Sequence, residues 1–350
     1  MLKTNLVKKL GIQFPLIQAP MAGGATTPEL VAAVSNSGGL GSLGAAYMPA
    51  EAIRKAIIKL RELTEKPFAV NLFIPNEHHA SLAEIKSSCH FIEQACRELK
   101  IQIKPPTPPY AQSFEEQISV LLEEKVPIFS FIFGIPAQSL LDKFIRNKTI
   151  LIGTATNVAE ALELEQAAID LIVAQGSEAG GHRGSFIGKA EDSLIGLISL
   201  LPQVISQLKT PVIAAGGIMN AKAIKVALEL GASAVQMGTA FLTCKESGIH
   251  PHYKEALLAT TADNTALTTA FSGKLARGIK NKFIERLAAA EEHILPYPIQ
   301  NAMTRSLRNE AAKQNCIDFM SMWAGQSAYL CKEMTAAELM RELIAGLSSI

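Results

Sequence analysis

The chain has 350 residues, 48% of them hydrophobic, and its 33 basic and 32 acidic side chains leave a net charge of +1. That length suits one large α/β domain with an appendage, and the apolar fraction is enough for a sizeable core, which excludes a disordered chain. Interleaved charges with almost no net excess lack the basic face that a nucleic-acid or membrane-surface role needs.

The pattern opens on Pro15–Pro20 (PLIQAP), read as a short strand. Thr27-Pro28-Glu29 then starts a helix, with Thr27 as cap and proline in the first turn, that stops at Gly38-Gly39. Leu40–Leu43 is a second strand. Pro49–Leu63 is a helix with Ile53, Ile57 and Leu60 on one stripe, and Phe68–Phe73 is a third strand. Residues 74–124 interrupt this rhythm. Residues 78–100 read as polar helix, and KPPTPP at 104–109 can be neither helix nor central strand.

The alternation resumes with a strand at Pro127–Phe133, a helix at Ala137–Arg146 and a strand at Thr149–Gly153. A helix capped by Asn157 leads into the apolar strand at the head of Leu171–Arg183 (LIVAQGSEAGGHR). A helix over Ser193–Leu208, a strand at Pro211–Ala215, a helix at Ala221–Leu230 and a strand at Ala234–Met237 complete the series. Eight strands joined by helical crossovers predict a (β/α)8 TIM barrel over residues 1–245, with a helical insertion at about 74–124 after the third strand. Residues 246–350 are expected to form a mostly helical appendage on the barrel, with a short strand near Ala266–Phe271. An open doubly wound sheet is the alternative. The barrel is preferred because the phosphate-type glycines come last in the chain rather than first.

The five cysteines (Cys89, Cys96, Cys244, Cys316, Cys331) show no CxxC or other metal spacing, so neither a disulfide framework nor a metal site is expected. The reading is a reduced, cytoplasmic compartment. The N-terminal residues carry no cleavage signal, and no apolar run is long enough to span a membrane.

Three segments carry chemistry. Ala214–Ile218 and Gln236-Met237-Gly238-Thr239 end the seventh and eighth strands. Free backbone N–H groups there would suit a phosphate, with the Thr239 hydroxyl adding a bond. No Walker lysine loop is present and no GxGxxG directly follows the first strand, so the phosphate belongs to a flavin mononucleotide or a phosphosugar. Asn71 and Gln175 end their strands with amides able to donate and accept along a flavin's pyrimidine edge. His182, in the glycine-rich loop with Gly180, is the candidate catalytic group, either as a neutral base or as an anion holder. Glu178 could orient that loop. The other six histidines read as surface.

PLIQAPMAG at 15–23, GGLG at 38–41, Asn71, AQGSEAGGHRG at 174–184, AGG at 215–217 and QMGT at 236–239 together resemble the nitronate monooxygenases, formerly 2-nitropropane dioxygenases. The resemblance runs from about residue 6 to Trp323–Gln326. It implies an FMN-containing barrel that oxidises alkyl nitronates such as propionate 3-nitronate with O2. The products would be a carbonyl compound plus nitrite or nitrate, with electrons passing through a flavin semiquinone. By this match Asn71, Gln175, Gly180, Gly217, Gln236, Met237, Gly238 and Thr239 would bind FMN and His182 would be the active-site histidine. A nitronate is already a carbanion equivalent, which favours an anion-holding His182. A homodimer is compatible with this reading. The rivals are an FMN-dependent enoyl-acyl-carrier-protein reductase using NAD(P)H, and a flavin-free phosphate-binding barrel enzyme.

Overall fold

A computed structural model describes residues 5–76 and 78–348. Eight parallel strands form the barrel wall: β1 Leu16–Gln18, β2 Gly41–Gly44, β3 Phe68–Phe73, β4 Ile128–Ile132, β5 Ile150–Ala155, β6 Leu171–Gln175, β8 Val212–Ala215 and β9 Ala234–Met237. The missing number is β7, Gly181–His182, which lies outside the wall. The eight stand where the hydrophobic runs predict them. The sheet runs β1-β9-β8-β6-β5-β4-β3-β2. It closes because Ile17 bridges Leu40, with Gln18 N–H donating to Leu40 O at 2.9 Å and Leu40 N–H to Leu16 O at 2.9 Å.

Side chains alternate across each strand, so every second residue faces the barrel interior. Ile17, Ala69, Ile128, Ile152, Leu171, Val173, Ile213 and Ala234 share one buried cluster inside the wall. Their neighbours Val70, Phe129, Leu151, Ile172, Val212 and Val235 pack outward under the helices. Helix Asn5–Leu10 plugs the floor with Leu6, Val7 and Leu10. Following the inward register to the strand ends reaches Asn71, Thr154, Gln175, Ala215 and Gln236. The chemistry-bearing residues are thus aimed into the mouth by parity alone.

Helix starts follow the expected caps: Thr27 accepts from Leu30 N–H at 3.0 Å and Asn157 from Glu160 N–H at 2.9 Å. The helix predicted over 193–208 is shorter, Leu197–Ile205, because a 3-10 turn at Glu191–Ser193 precedes it.

Within 74–124, helix Phe114–Glu123 packs on helix Ala50–Leu63 and serves as the barrel's third helix. Helix Leu82–Ala95 instead joins a second hydrophobic cluster. There Ile85, Ile92 and Cys96 meet Phe271, Phe283, Ile299, Leu307 and Phe319. This cluster forms a cap over the barrel mouth. The cap also holds a three-stranded antiparallel sheet, β10 Thr265–Thr268, β11 Ala276–Ile279 and β7, with His182 opposite Ala276. Of these, only the strand near 266 is predicted from sequence; it spans 265–268 rather than 266–271. Helix Ala336–Ser348, at the end of the region after residue 245, packs on the barrel helices Pro28–Asn36 and Ala221–Glu229 through Leu339, Met340 and Leu343.

Candidate functional site

A cavity of about 390 Å³ lies between the barrel mouth and the cap. That is within the roughly 300–1,000 Å³ of small-molecule and cofactor sites. All nine candidate residues from the sequence line it: Asn71, Gln175, Gly180, His182, Gly217, Gln236, Met237, Gly238 and Thr239.

The loop after β6 is held by buried polar groups. The Gln175 amide donates to His182 O at 3.0 Å and accepts from Gly184 N–H at 2.8 Å, so both of its ends grip the loop. Arg183 is fully buried. Its guanidinium donates to Gly176 O (2.7 Å), Gln175 O (3.0 Å) and Ser193 O (2.9 Å). Glu160, also fully buried, accepts from the amides of Phe186 (2.6 Å) and Ile187 (3.0 Å). Glu178 orients the loop, its carboxylate accepting from Leu197 N–H at 2.9 Å. These bonds make the loop rigid and leave its glycines against the cavity.

The glycines at the ends of β8 and β9 differ from the simple helix-start picture. Gly216 and Gly217 have φ of 121° and 68°, and helix Ala221–Glu229 begins only after its own cap, Asn220. What remains at the turn is better suited to an anion. Among the described residues, the amides of Gly216, Gly217 and Ile218 donate no hydrogen bond, and all three residues line the cavity. Thr239 Oγ1 accepts from Gly325 N–H at 3.0 Å, which joins the end of β9 to the 323–327 strap and leaves the hydroxyl proton to donate. Asn71 donates to Ser130 Oγ at 3.0 Å.

His182 is walled by rings. The centroids of Trp323, Phe133 and Phe73 lie 5.2, 5.9 and 6.2 Å from its own. Burial, reinforced by the charges of Lys274 and Arg308, pushes its pKa down to about 3. The ring is neutral at physiological pH, which leaves both roles expected from sequence, a base or an N–H donor to an anion, but gives it no charge of its own. Arg308, from helix Arg305–Lys313 of the cap, is the positive group instead. It lines the cavity, donates through Nη2 to Asn301 O and Oδ1 at 2.8 Å, and keeps a buried Nε–H without a partner. Nothing in the local sequence marks it, because a basic residue in a polar helix reads as solvated. His250, assigned to the surface from sequence, also lines the cavity and caps helix Pro251–Leu258. Among the described residues, no group of three His, Cys, Asp or Glu could hold a metal ion, and no helix is long and apolar enough to cross a membrane.

A closed eight-stranded α/β barrel, roofed by its own cap over a glycine-lined cavity with a neutral imidazole, defines a TIM-barrel enzyme. The profile of the family described as nitronate monooxygenase matches residues 3–346, and the chain belongs to that family of oxidoreductases. It is 42% identical over 351 residues to a probable nitronate monooxygenase of Staphylococcus saprophyticus, covering 100% of this chain and 99% of that one. Among solved structures it resembles the nitroalkane oxidase from Streptomyces ansochromogenes, with a TM-score of 0.89, 37% identity and 96% of each chain covered. FabK from Thermotoga maritima follows at 0.77 and 30%, covering 99% of this chain and 96% of that one.

Proposed function

We propose that the protein oxidises alkyl nitronates, such as propionate 3-nitronate, with O2 on a bound FMN, releasing a carbonyl compound and nitrite or nitrate. The observation that carries this reading is the unpaired amide turn Gly216–Ile218, which shares one cavity with the neutral His182. The turn suits the FMN phosphate, aided by Gly238 and the Thr239 hydroxyl. A side chain at Gly217 would need the left-handed backbone that glycine adopts freely. Asn71 Oδ1 and the Gln236 amide, both inward-facing at strand ends, suit the pyrimidine edge. Gln175 contributes chiefly by holding the loop.

Bound flavin supplies the redox chemistry. The chain's own residues bind and orient. Arg308 attracts an anionic substrate into the cavity. Phe73, Phe133 and Trp323 exclude water beside His182. The neutral imidazole faces the substrate without adding a charge. The general reading of nitronate oxidation is supported by the family and by the nitroalkane oxidase likeness.

The test is purification, an absorbance scan, and oxygen uptake on propionate 3-nitronate with and without NADH. A yellow protein that consumes O2 with the nitronate alone is expected. A protein that stays colourless after FMN is added would overturn the proposal, and flavin bleached by NADH without nitronate would favour the reductase.

A further inference from the structure

We infer that Ser272 fixes His182 as the tautomer with its proton on Nε2, leaving Nδ1 as the basic nitrogen. Ser272 sits in the turn between β10 and β11 and is 1% exposed. The pairing of His182 with Ala276 in the cap sheet sets this turn beside the imidazole. A hydroxyl has one proton to give and two lone pairs to receive. All three are accounted for here. The Ser272 proton goes to Lys274 O at 3.1 Å, and among the described residues that carbonyl has no other donor. One lone pair takes Lys274 N–H at 3.3 Å. The other faces His182 Nε2 at 2.8 Å, so the ring nitrogen must be the donor. The opposite arrangement, with Ser272 donating to Nε2, would leave the Lys274 carbonyl unpaired and one lone pair idle. Ser272 is therefore a positioning residue, acting on the reaction through His182.

The consequence is that Nδ1 can accept a proton or a hydrogen bond but offers nothing to an anion, and the positive role falls to Arg308. The catalytic consequence rests on the proposed function; the tautomer does not. The experiment is nitrogen NMR of the flavin-loaded protein labelled with 15N-histidine, with His182→Asn used to assign the His182 signals. The wild-type ring is expected to be the Nε2–H tautomer. An Nδ1–H ring or an even mixture overturns the inference. Ser272→Ala is expected to mix the two tautomers, so that only part of the molecules present a free Nδ1, and to lower kcat with KM little changed. Ser272→Thr, which keeps the hydroxyl, is expected to restore both tautomer and rate. An unchanged tautomer in Ser272→Ala overturns the inference, and should that variant not fold, the wild-type spectrum decides alone. Failure of the nitronate reading would show separately, as absent oxygen uptake by the wild-type protein.

Discussion

Gly180 faces Gly325 so closely that a Cβ built on Gly180 would stand 2.5 Å from the Gly325 nitrogen and 2.6 Å from the Ala324 carbonyl carbon. Both obstacles are backbone, so they cannot swing aside. Gly180→Ala should push the 323–327 strap off the loop, at about 1–3 kcal/mol for an overpacked contact, and weaken flavin retention. Gly181→Ala is the control. Its φ is 73° and its Cβ would meet open space, so only the left-handed backbone is penalised, at roughly 1–2 kcal/mol. Melting temperature and bound-flavin absorbance would separate the two, and equal flavin loss in both would argue against the close contact as the cause.

Arg183 is expected to be structural rather than catalytic. Arg183→Met leaves the carbonyls of Gln175 and Ser193 without a donor, while that of Gly176 keeps Ala179 N–H at 3.2 Å. Unmet groups of this kind cost about 1–3 kcal/mol each, so a loss of at least about 2 kcal/mol in urea unfolding is expected. Arg183→Lys, with a single ammonium in place of a planar fork, should lie between. A variant as stable as wild type would contradict the bonding described.

The titration of His182 gives a signed prediction. The native ring protonates at about 3, against an ordinary value of 6.5. Between those limits the unfolded chain binds the extra proton. Stability is therefore whole above about pH 6.5 and falls as pH drops toward 3, by up to about 1.4 kcal/mol per unit. His182→Asn removes this group, so its stability should fall less steeply from pH 7 to pH 5. Parallel wild-type and variant curves would show that burial of the imidazole is not responsible. In the same variant turnover should drop while the yellow colour stays.

Arg308 should decide which nitronates bind. A hydrogen bond to a charged group contributes about 1.5–3 kcal/mol. Arg308→Gln should therefore raise KM for a carboxylate-bearing nitronate about 10- to 100-fold, and that for an uncharged alkyl nitronate much less. An equal rise for both substrates would point to a distorted cavity instead.

The eight wall strands were legible because each is a short apolar run closed by glycine or a polar amide, and a parallel strand must be apolar on both faces. The same simplicity exposed Asn71, Gln175 and Gln236: strand parity places them at the mouth once the strands are known. The cap was poorly legible. β7 spans only Gly181–His182, and β11, Ala276–Ile279, carries Arg277 and Gly278 in its middle, so neither shows an apolar run, and they pair with distant segments. Helix Ala336–Ser348 reads as amphipathic in either setting; only packing shows that its apolar face completes the barrel.

The residue types alone therefore determined the barrel, its mouth and the glycine-rich turns, because hydrophobic period and backbone permissiveness are local properties. Which groups carry charge at the site is not local. Arg308 and Lys274 reach His182 only through the folded cap, and burial together with those neighbours, rather than identity, makes the imidazole neutral. Desolvation and Coulomb forces act across space, so the tertiary structure alone decides them.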